Sequence, residues 1–269
     1  MPELPEMENY KQLLGPRVAG KVITGVDIQR EKSLNVPAPL FIREVQGQSI
    51  TRVERRAKHL LFHLSNAKVL LLHLMLGGWM FFGRREEKPD RTCQVTLSFG
   101  DLHLYFIGLR LGYLHLHDPH EVDLLLQKLG PEPLEPIFTF ERFVQTMKPR
   151  RGNLKVTLVD QSILSGIGNC YSDEICFHAG LLPARSVNGL NAEELGTLYR
   201  SMREVLLEAI RYGGYMESPL YAGDELTGSF DCRCRVYDRE GEPCVVCGTS
   251  IERHEISSKK SFSCPNCQH

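Results

Sequence analysis

Met1-Pro2-Glu3-Leu4-Pro5-Glu6 opens the chain, and the way these residues are read decides how the rest is read. Proline is favoured at the first helical position, and glutamate in the first turn, where the aligned peptide dipoles favour negative charge. Pro5 and Glu6, followed by Met7, Tyr10 and Leu14 at helical spacing, predict a helix over 5–15. The same residues also carry chemistry. Once Met1 is removed, Pro2 presents a secondary amine, and α-amino groups titrate near ~8, below lysine. Such an amine attacks a sugar C1′ to give an iminium, which is charged at any pH and draws electrons from its neighbours. Glu3, next in the chain, is placed to act as acid or base. Alone, the six residues favour the plain helix start; the remainder of the chain shifts the balance.

The strongest single signal lies at the other end. Cys244-Val245-Val246-Cys247 and Cys264-Pro265-Asn266-Cys267 are two CxxC knuckles separated by sixteen residues. This is zinc-ribbon spacing: four thiolates complete a tetrahedral Zn²⁺ shell, and a closed Cys₄ set predicts a structural metal. The hairpin between the knuckles carries Arg253, His254, Lys259 and Lys260. The other cysteines, Cys93, Cys170, Cys176, Cys232 and Cys234, show no framework pattern, so a reducing cytoplasm is expected.

Between the ends the hydropathy pattern changes once. From 21 to 117 it alternates or runs apolar in short stretches, as in Val22–Ile28, Ser49–Val53 and His59–Leu64, with further strands expected over 68–75, 79–83, 93–99 and 102–107. Many short strands with turn pairs between them predict an antiparallel sandwich or barrel. Pro37 and Pro39 mark a loop. Helical spacing then takes over at 121–129, 139–148, 153–161, 169–178 and 191–212, the last with Asn191 as cap and Glu194 three residues on. The proline-rich run 131–136 is the expected linker. The division is therefore an N-terminal β-sandwich over 1–130, the linker, a helical domain over 137–228 that ends in a Gly-, Ser- and Pro-rich loop, and a zinc-ribbon hairpin over 229–269.

With 269 residues the chain is long enough for two cores, and 42% hydrophobic against 24% charged residues is ordinary for a globular protein. No apolar run reaches the ~18 residues of a membrane span, and no signal peptide is expected. The net charge of −1 argues weakly against a nucleic-acid partner. Its distribution argues the other way: Arg52, Arg55, Arg56 and Lys58 cluster, as do Lys148, Arg150, Arg151 and Lys155. Local basic faces bind phosphate even when the sum is near zero. Arg55-Arg56-Ala57-Lys58 entering a strand is by default a solvated edge. Asn153–Gln161 followed by Ser165-Gly166-Ile167-Gly168-Asn169 is a helix, a glycine turn and a second helix start, a shape whose backbone N–H groups bind phosphate; a plain helical hairpin is the simpler alternative.

In this order along one chain, Pro-Glu-Leu-Pro-Glu, Lys58 entering a strand, Lys155 with Gly-Ile-Gly-Asn, and a zinc ribbon ending Cys-Pro-Asn-Cys-Gln resemble the formamidopyrimidine-DNA glycosylase family, whose relatives include endonuclease VIII. The likeness spans essentially the whole chain. It implies an α+β multidomain fold: an N-terminal β-sandwich, a helical helix-two-turns-helix domain and a zinc-ribbon hairpin, with duplex DNA bound between them. It implies base-excision repair, in which a monomeric enzyme removes an oxidised or ring-opened purine and then cuts the strand. Under the resemblance Pro2 is the nucleophile at C1′ and Glu3 assists opening of the sugar ring. Lys58 contacts phosphate or lesion and assists elimination. Glu6 and Lys259 complete the catalytic set. Leu76, Arg110, Leu111, Arg151, Lys155 and Asn169 are the expected DNA ligands, and Cys244, Cys247, Cys264 and Cys267 hold one structural Zn²⁺.

The chain departs from the family pattern in three places. Leu76 stands where a methionine is expected to fill the hole left by a flipped base. Gly108-Leu109-Arg110-Leu111-Gly112 replaces Pro-Arg-Arg-Phe-Gly, so one arginine remains and an apolar leucine takes the aromatic position. Lys259 replaces an arginine, and lysine gives phosphate a point charge where arginine forks onto it with two bonds. These departures leave the opposite base and a second, δ-elimination open. They also admit two alternatives: a relative turned to alkylated, bulky or cross-linked bases, or a damage-binding protein without activity.

Overall fold

The structure, a computed structural model, describes residues 1–269. It divides into two compact units, one made of 1–128 with 212–231, the other of 129–211 with 232–269.

The first unit begins with α1 (Leu4–Val18), longer than the helix expected over 5–15. Leu4, Met7, Tyr10, Leu14 and Val18 recur at helical spacing and are all buried, so this stripe attaches the N-terminus to the core. Two antiparallel four-stranded sheets follow. One has the order β2 (Ile50–Arg56), β3 (His59–Leu64), β4 (Val69–His73), β8 (Tyr113–His117). The other runs β1 (Gly25–Ile28), β6 (Cys93–Phe99), β7 (Leu102–Ile107), β5 (Trp79–Gly83). Their facing residues make one core: Leu60, Phe62, Leu70 and Leu72 from the first sheet, and Met80, Val95, Leu97, Leu104 and Phe106 from the second. Phe62 meets Phe106 edge to face at 6.2 Å. The expected sandwich is thus present.

Two local expectations change. Residues 37–45 are not a loop: Pro37 is the N-cap and Pro39 lies in the first turn of α2 (Ala38–Val45), whose Phe41 and Val45 enter the core. A proline N–H is not missed there, because first-turn amides have no intrahelical partner. The loop 213–228, expected within the helical domain, packs with the sandwich. Leu220 is fully buried in the same core, the Tyr10 hydroxyl donates to Ser218 O at 2.8 Å, and the Asn9 amide donates to Thr227 Oγ1 at 2.8 Å.

After α3 (Pro119–Leu126) in the first unit, the second unit contributes α4 (Phe140–Met147), α5 (Leu154–Val159), α6 (Asn169–His178) and α7 (Ala192–Arg211). The α7 cap is the one its sequence predicts: Asn191 Oδ1 accepts from Glu194 N at 3.0 Å, and Glu194 Oε2 accepts from Asn191 N at 2.8 Å. The pair β9 (Glu252–Ile256) and β10 (Lys259–Ser263) forms the C-terminal hairpin. Two buried carboxylates of α6 hold the C-terminal region, Asp173 the hairpin and Glu174 the segment before it. Asp173 accepts from Ser261 Oγ at 2.7 Å and from Phe262 N at 3.1 Å, while Glu174 accepts from the amides of Arg235, Val236 and Tyr237. No helix is long and apolar enough to cross a membrane.

Candidate active site

The first helix turn is also the centre of the polar site. Glu3 is the N-cap of α1, and a capping box joins it to Glu6: the Glu3 side chain accepts from the Glu6 amide, and Glu6 Oε2 accepts from Glu3 N at 2.7 Å. Glu6 uses its other oxygen on Tyr215 N at 2.9 Å. Gly214 makes that approach possible, because a Cβ there would overlap the Glu6 carboxylate and its φ is +77°. Glu3 and Glu6 are each 2% exposed, and Pro2 is buried beside them.

Lys58 arrives from the two-residue turn between β2 and β3, where Ala57 takes the left-handed conformation at φ +53°. Lys58 is 5% exposed; burial lowers its pKa, and the fields of Glu3 and Glu6 oppose that shift. A lysine held this way is easier to deprotonate than a surface lysine, and the fields of two carboxylates act on it. The basic cluster Arg55–Lys58 is therefore not simply a solvated edge: Arg55 pairs with Glu8 at 2.8 Å, and Lys58 turns inward.

His73 went unmarked in the sequence. It ends β4 directly opposite His59, with ring centroids 4.4 Å apart. Burial and the nearby Lys58 hold its pKa at about 4, so its imidazole is neutral at physiological pH. The available signal was strand register: a hairpin from Lys58 through β3 and β4 must return beside His59.

Two loops carry the expected base-contacting residues. Leu109 is fully buried; its N–H donates to Gln94 Oε1 at 2.8 Å and its carbonyl accepts from Ser33 Oγ at 3.1 Å. With Leu109 anchored, Arg110 and Leu111 stand exposed at the tip. Gly108 lies so close to Gly77 O that any side chain there would overlap it, so the loops 74–78 and 108–112 lie against each other. Leu76 and Leu111 are 66% and 63% exposed, unusual for leucine.

In the second unit Asn169 is exposed at the first position of α6, and Arg151 is exposed before α5. Lys155 is a correction. Expected among the DNA ligands, it is fully buried, pairs with Asp173 at 2.8 Å and donates to Asn169 O at 2.8 Å. Its ammonium balances a buried carboxylate whose pKa burial raises to about 6 against the pull of Lys155 itself. Lys155 therefore shapes the turn that presents Asn169 and offers no charge to solvent.

Cys244, Cys247, Cys264 and Cys267 have their sulfurs within 4.8 Å of one another, with Cys244 to Cys267 at 3.8 Å and Cys247 to Cys264 at 3.5 Å. Zn–S bonds of about 2.3 Å in a tetrahedron put sulfurs about 3.8 Å apart, so this set fits a structural Zn²⁺. Lys259 is half-buried and begins β10, just after the Ser257-Ser258 turn with φ of +52° and +60°.

The chain thus joins a β-sandwich that buries Pro2, Glu3, Glu6 and Lys58, a helical unit and a Cys₄ hairpin, the parts of a modular protein class. Known proteins show the same three parts in the same order. Residues 1–114 match the formamidopyrimidine-DNA glycosylase N-terminal domain, 129–218 its H2TH domain, and 241–269 the zinc finger found in FPG and IleRS. The formamidopyrimidine-DNA glycosylases of Carboxydothermus hydrogenoformans and Thermus thermophilus are 35% and 37% identical to this chain, over 100% of it and 100% and 98% of their own lengths. A solved complex of a Lactococcus lactis FPG mutant with Fapy-dG-containing DNA superposes with a TM-score of 0.92 at 27% identity, covering 100% of both chains. A second complex, of the same organism's enzyme with abasic-site DNA, gives 0.92 over 99% of each chain. The chain belongs to the formamidopyrimidine-DNA glycosylase family.

Proposed function

We propose that the protein is a base-excision-repair DNA glycosylase with lyase activity, acting on oxidised or ring-opened purines in duplex DNA. The observation that carries the reading is the burial of Glu3, Glu6 and Lys58 around Pro2. Family membership and the likeness to DNA-bound relatives support it. A soluble enzyme of the reducing cytoplasm is the setting that fits this reading.

As encoded, Met1 ties the Pro2 nitrogen into an amide, so the nucleophile forms when Met1 is cleaved. The free Pro2 nitrogen attacks C1′, the C1′–N glycosidic bond breaks, and the base leaves with a proton. Glu3 donates to the ring oxygen as the sugar opens, leaving an iminium between Pro2 and C1′. The iminium acidifies C2′–H; a base near Lys58 takes that proton, the C3′–O bond breaks, and the 3′ phosphate departs. Glu6 keeps Glu3 and the Tyr215 backbone in place. Asn169, Arg151 and Lys259 are assigned to the DNA backbone, Arg110 to the unpaired base, and Leu76 and Leu111 to the vacated stack. Lys155 supports this set from within.

Borohydride trapping tests the reading, since it reduces the iminium to a stable protein–DNA bond. Wild-type protein with a free Pro2 terminus is expected to form an adduct on abasic-site, 8-oxoguanine and formamidopyrimidine duplexes, and Pro2→Gly to bind without being trapped efficiently. An adduct on the abasic site alone keeps the lyase and moves the substrate to another lesion. No adduct at all from free Pro2 protein leaves a damage-binding protein.

A further inference from the structure

A cleft of about 730 Å³ opens in the first unit beside Leu76 and Leu111, lined also by Trp79, Gln94, Ile107 and Glu217. Its size falls in the roughly 300–1,000 Å³ range of sites that take small molecules. Trp79 is the single tryptophan of the chain. It pairs with Ile107 across β5 and β7 and packs half-buried on Phe81, Cys93, Tyr105 and Ile107. Its ring is therefore braced by buried apolar side chains and still lines the cleft. Gln94 is 4% exposed and fixed by the Leu109 N–H on its oxygen, which leaves its amide N–H₂ as a donor. Glu217 adds an acceptor and Arg110 a guanidinium at the same cleft.

A flat aromatic wall with an amide donor and a carboxylate acceptor matches one ligand chemistry well: an unstacked nucleobase, with π faces and N–H and C=O groups on its edges. The two exposed side chains assigned to the vacated stack are both leucine, so neither supplies an aromatic surface. We propose that Trp79 is the platform on which an unstacked nucleobase rests in this cleft, and so a specificity-determining residue for the repair reaction. The inference rests on the DNA-repair reading above. The base has two possible sources: the damaged base turned out of the helix, or its former partner.

Because Trp79 is the only tryptophan, its emission reports on it alone. Wild-type protein is saturated, as judged by anisotropy of a dye-labelled strand, with four duplexes. One is undamaged, one carries a tetrahydrofuran abasic analogue opposite cytosine, one carries the analogue at both positions of the pair, and one carries 8-oxoguanine and is bound to Pro2→Gly so that the base stays attached. Quenching by the single-analogue duplex that disappears with the double analogue supports the proposal and names the partner base. Quenching by the 8-oxoguanine duplex alone supports it and names the damaged base. Emission unchanged at saturation, or quenched equally by the undamaged or doubly abasic duplex, overturns it. Trp79→Ala is expected to weaken binding of the quenching duplex roughly 5- to 150-fold, the span of one base–aromatic stack, with Trp79→Phe restoring most of it. An alanine variant within twofold of wild type counts against the platform; if that variant does not fold, the wild-type emission decides alone. A wild-type protein that is trapped on abasic DNA while Trp79 stays silent loses only this inference, whereas one that neither binds nor is trapped loses the repair reading as well.

Discussion

Glu6 holds the backbone N–H of Tyr215 at 2.9 Å with one oxygen and that of Glu3 at 2.7 Å with the other. One carboxylate thus fixes both Glu3, next to the proposed nucleophile Pro2, and the start of the loop that returns to the sandwich. The bond from Glu3 is buried and that from Tyr215 part-buried, so losing both leaves two amides without acceptors at a cost of about 1–3 kcal/mol each. Glu6→Ala is expected to lower the melting temperature and cut borohydride trapping at least tenfold; Glu6→Gln, which keeps one good acceptor, falls between. Gly214→Ala, which drives a methyl into that carboxylate, should resemble Glu6→Ala. An alanine at position 6 with wild-type melting and trapping would remove Glu6 from the site.

Acid should unlock the first unit through its histidines. Burial, with His73 and Lys58, holds the His59 pKa at about 3 against the Arg56 backbone hydrogen bond that raises it, and burial with Lys58 holds that of His73 at about 4, both below the ordinary 6.5. Between the folded and ordinary values the unfolded chain binds more protons, so stability rises with pH. The stabilisation is present above about 6.5 and is lost as pH falls toward 4 and then 3, at up to about 1.4 kcal/mol per pH unit for each ring. Urea denaturation from pH 7 to 4.5 should show that slope, and His59→Phe should reduce it. A His59→Phe curve parallel to wild type would assign the acid sensitivity elsewhere.

Salt titration separates the buried lysine from the exposed arginine. A side chain that neutralises a phosphate contributes roughly 0.9 to the slope of log K against log salt. Arg151→Ala should reduce the slope by about that amount. Lys155→Met should leave it unchanged while lowering stability by about 3–5 kcal/mol, because it strands Asp173 in the interior. A Lys155→Met protein that stays stable but loses slope would put the ammonium back on the DNA.

The contrast shows where sequence stops being informative. Elements written in local spacing were legible: the strand over 79–83, the helix over 169–178, the Asn191–Glu194 cap and the zinc knuckles. Lys155 was not, because its burial depends on Asp173 one helix later and on Ser261 and Phe262 of the zinc hairpin. The loop 213–228 announced its turns through Gly, Ser and Pro, but its destination rests on Leu220, Tyr10 and Glu6, residues with no shared periodicity. Pro2, Glu3 and Lys58 needed the whole chain to be set apart from an ordinary helix start and an ordinary edge strand.

Zinc is expected at one ion per chain by atomic absorption. It supplies four bonds to a hairpin whose strands are short, so the metal and the Asp173 carboxylate together hold it. Chelation or Cys264→Ser should abolish DNA binding while the first unit still melts cooperatively. Preserved binding in a zinc-free protein would show that Asp173 and Glu174 suffice to hold the C-terminal region.

Lys259 allows the sharpest comparison within the proposed phosphate set. It begins β10 opposite Ile256, just past a two-serine turn whose positive φ angles hold its backbone in place. In the proposed role the side chain sets how firmly position 259 grips phosphate: an ammonium offers a point charge, a guanidinium two parallel bonds. Lys259→Arg is therefore expected to tighten binding of abasic-site DNA severalfold and to raise the share of doubly eliminated product on a sequencing gel. Lys259→Ala should weaken binding about tenfold, one charge-assisted contact, and leave trapping at saturating DNA intact, because the Pro2 cluster lies in the other unit. If arginine changes neither affinity nor product ratio and alanine binds as wild type does, position 259 carries no phosphate, and the hairpin reaches DNA through another of its cations.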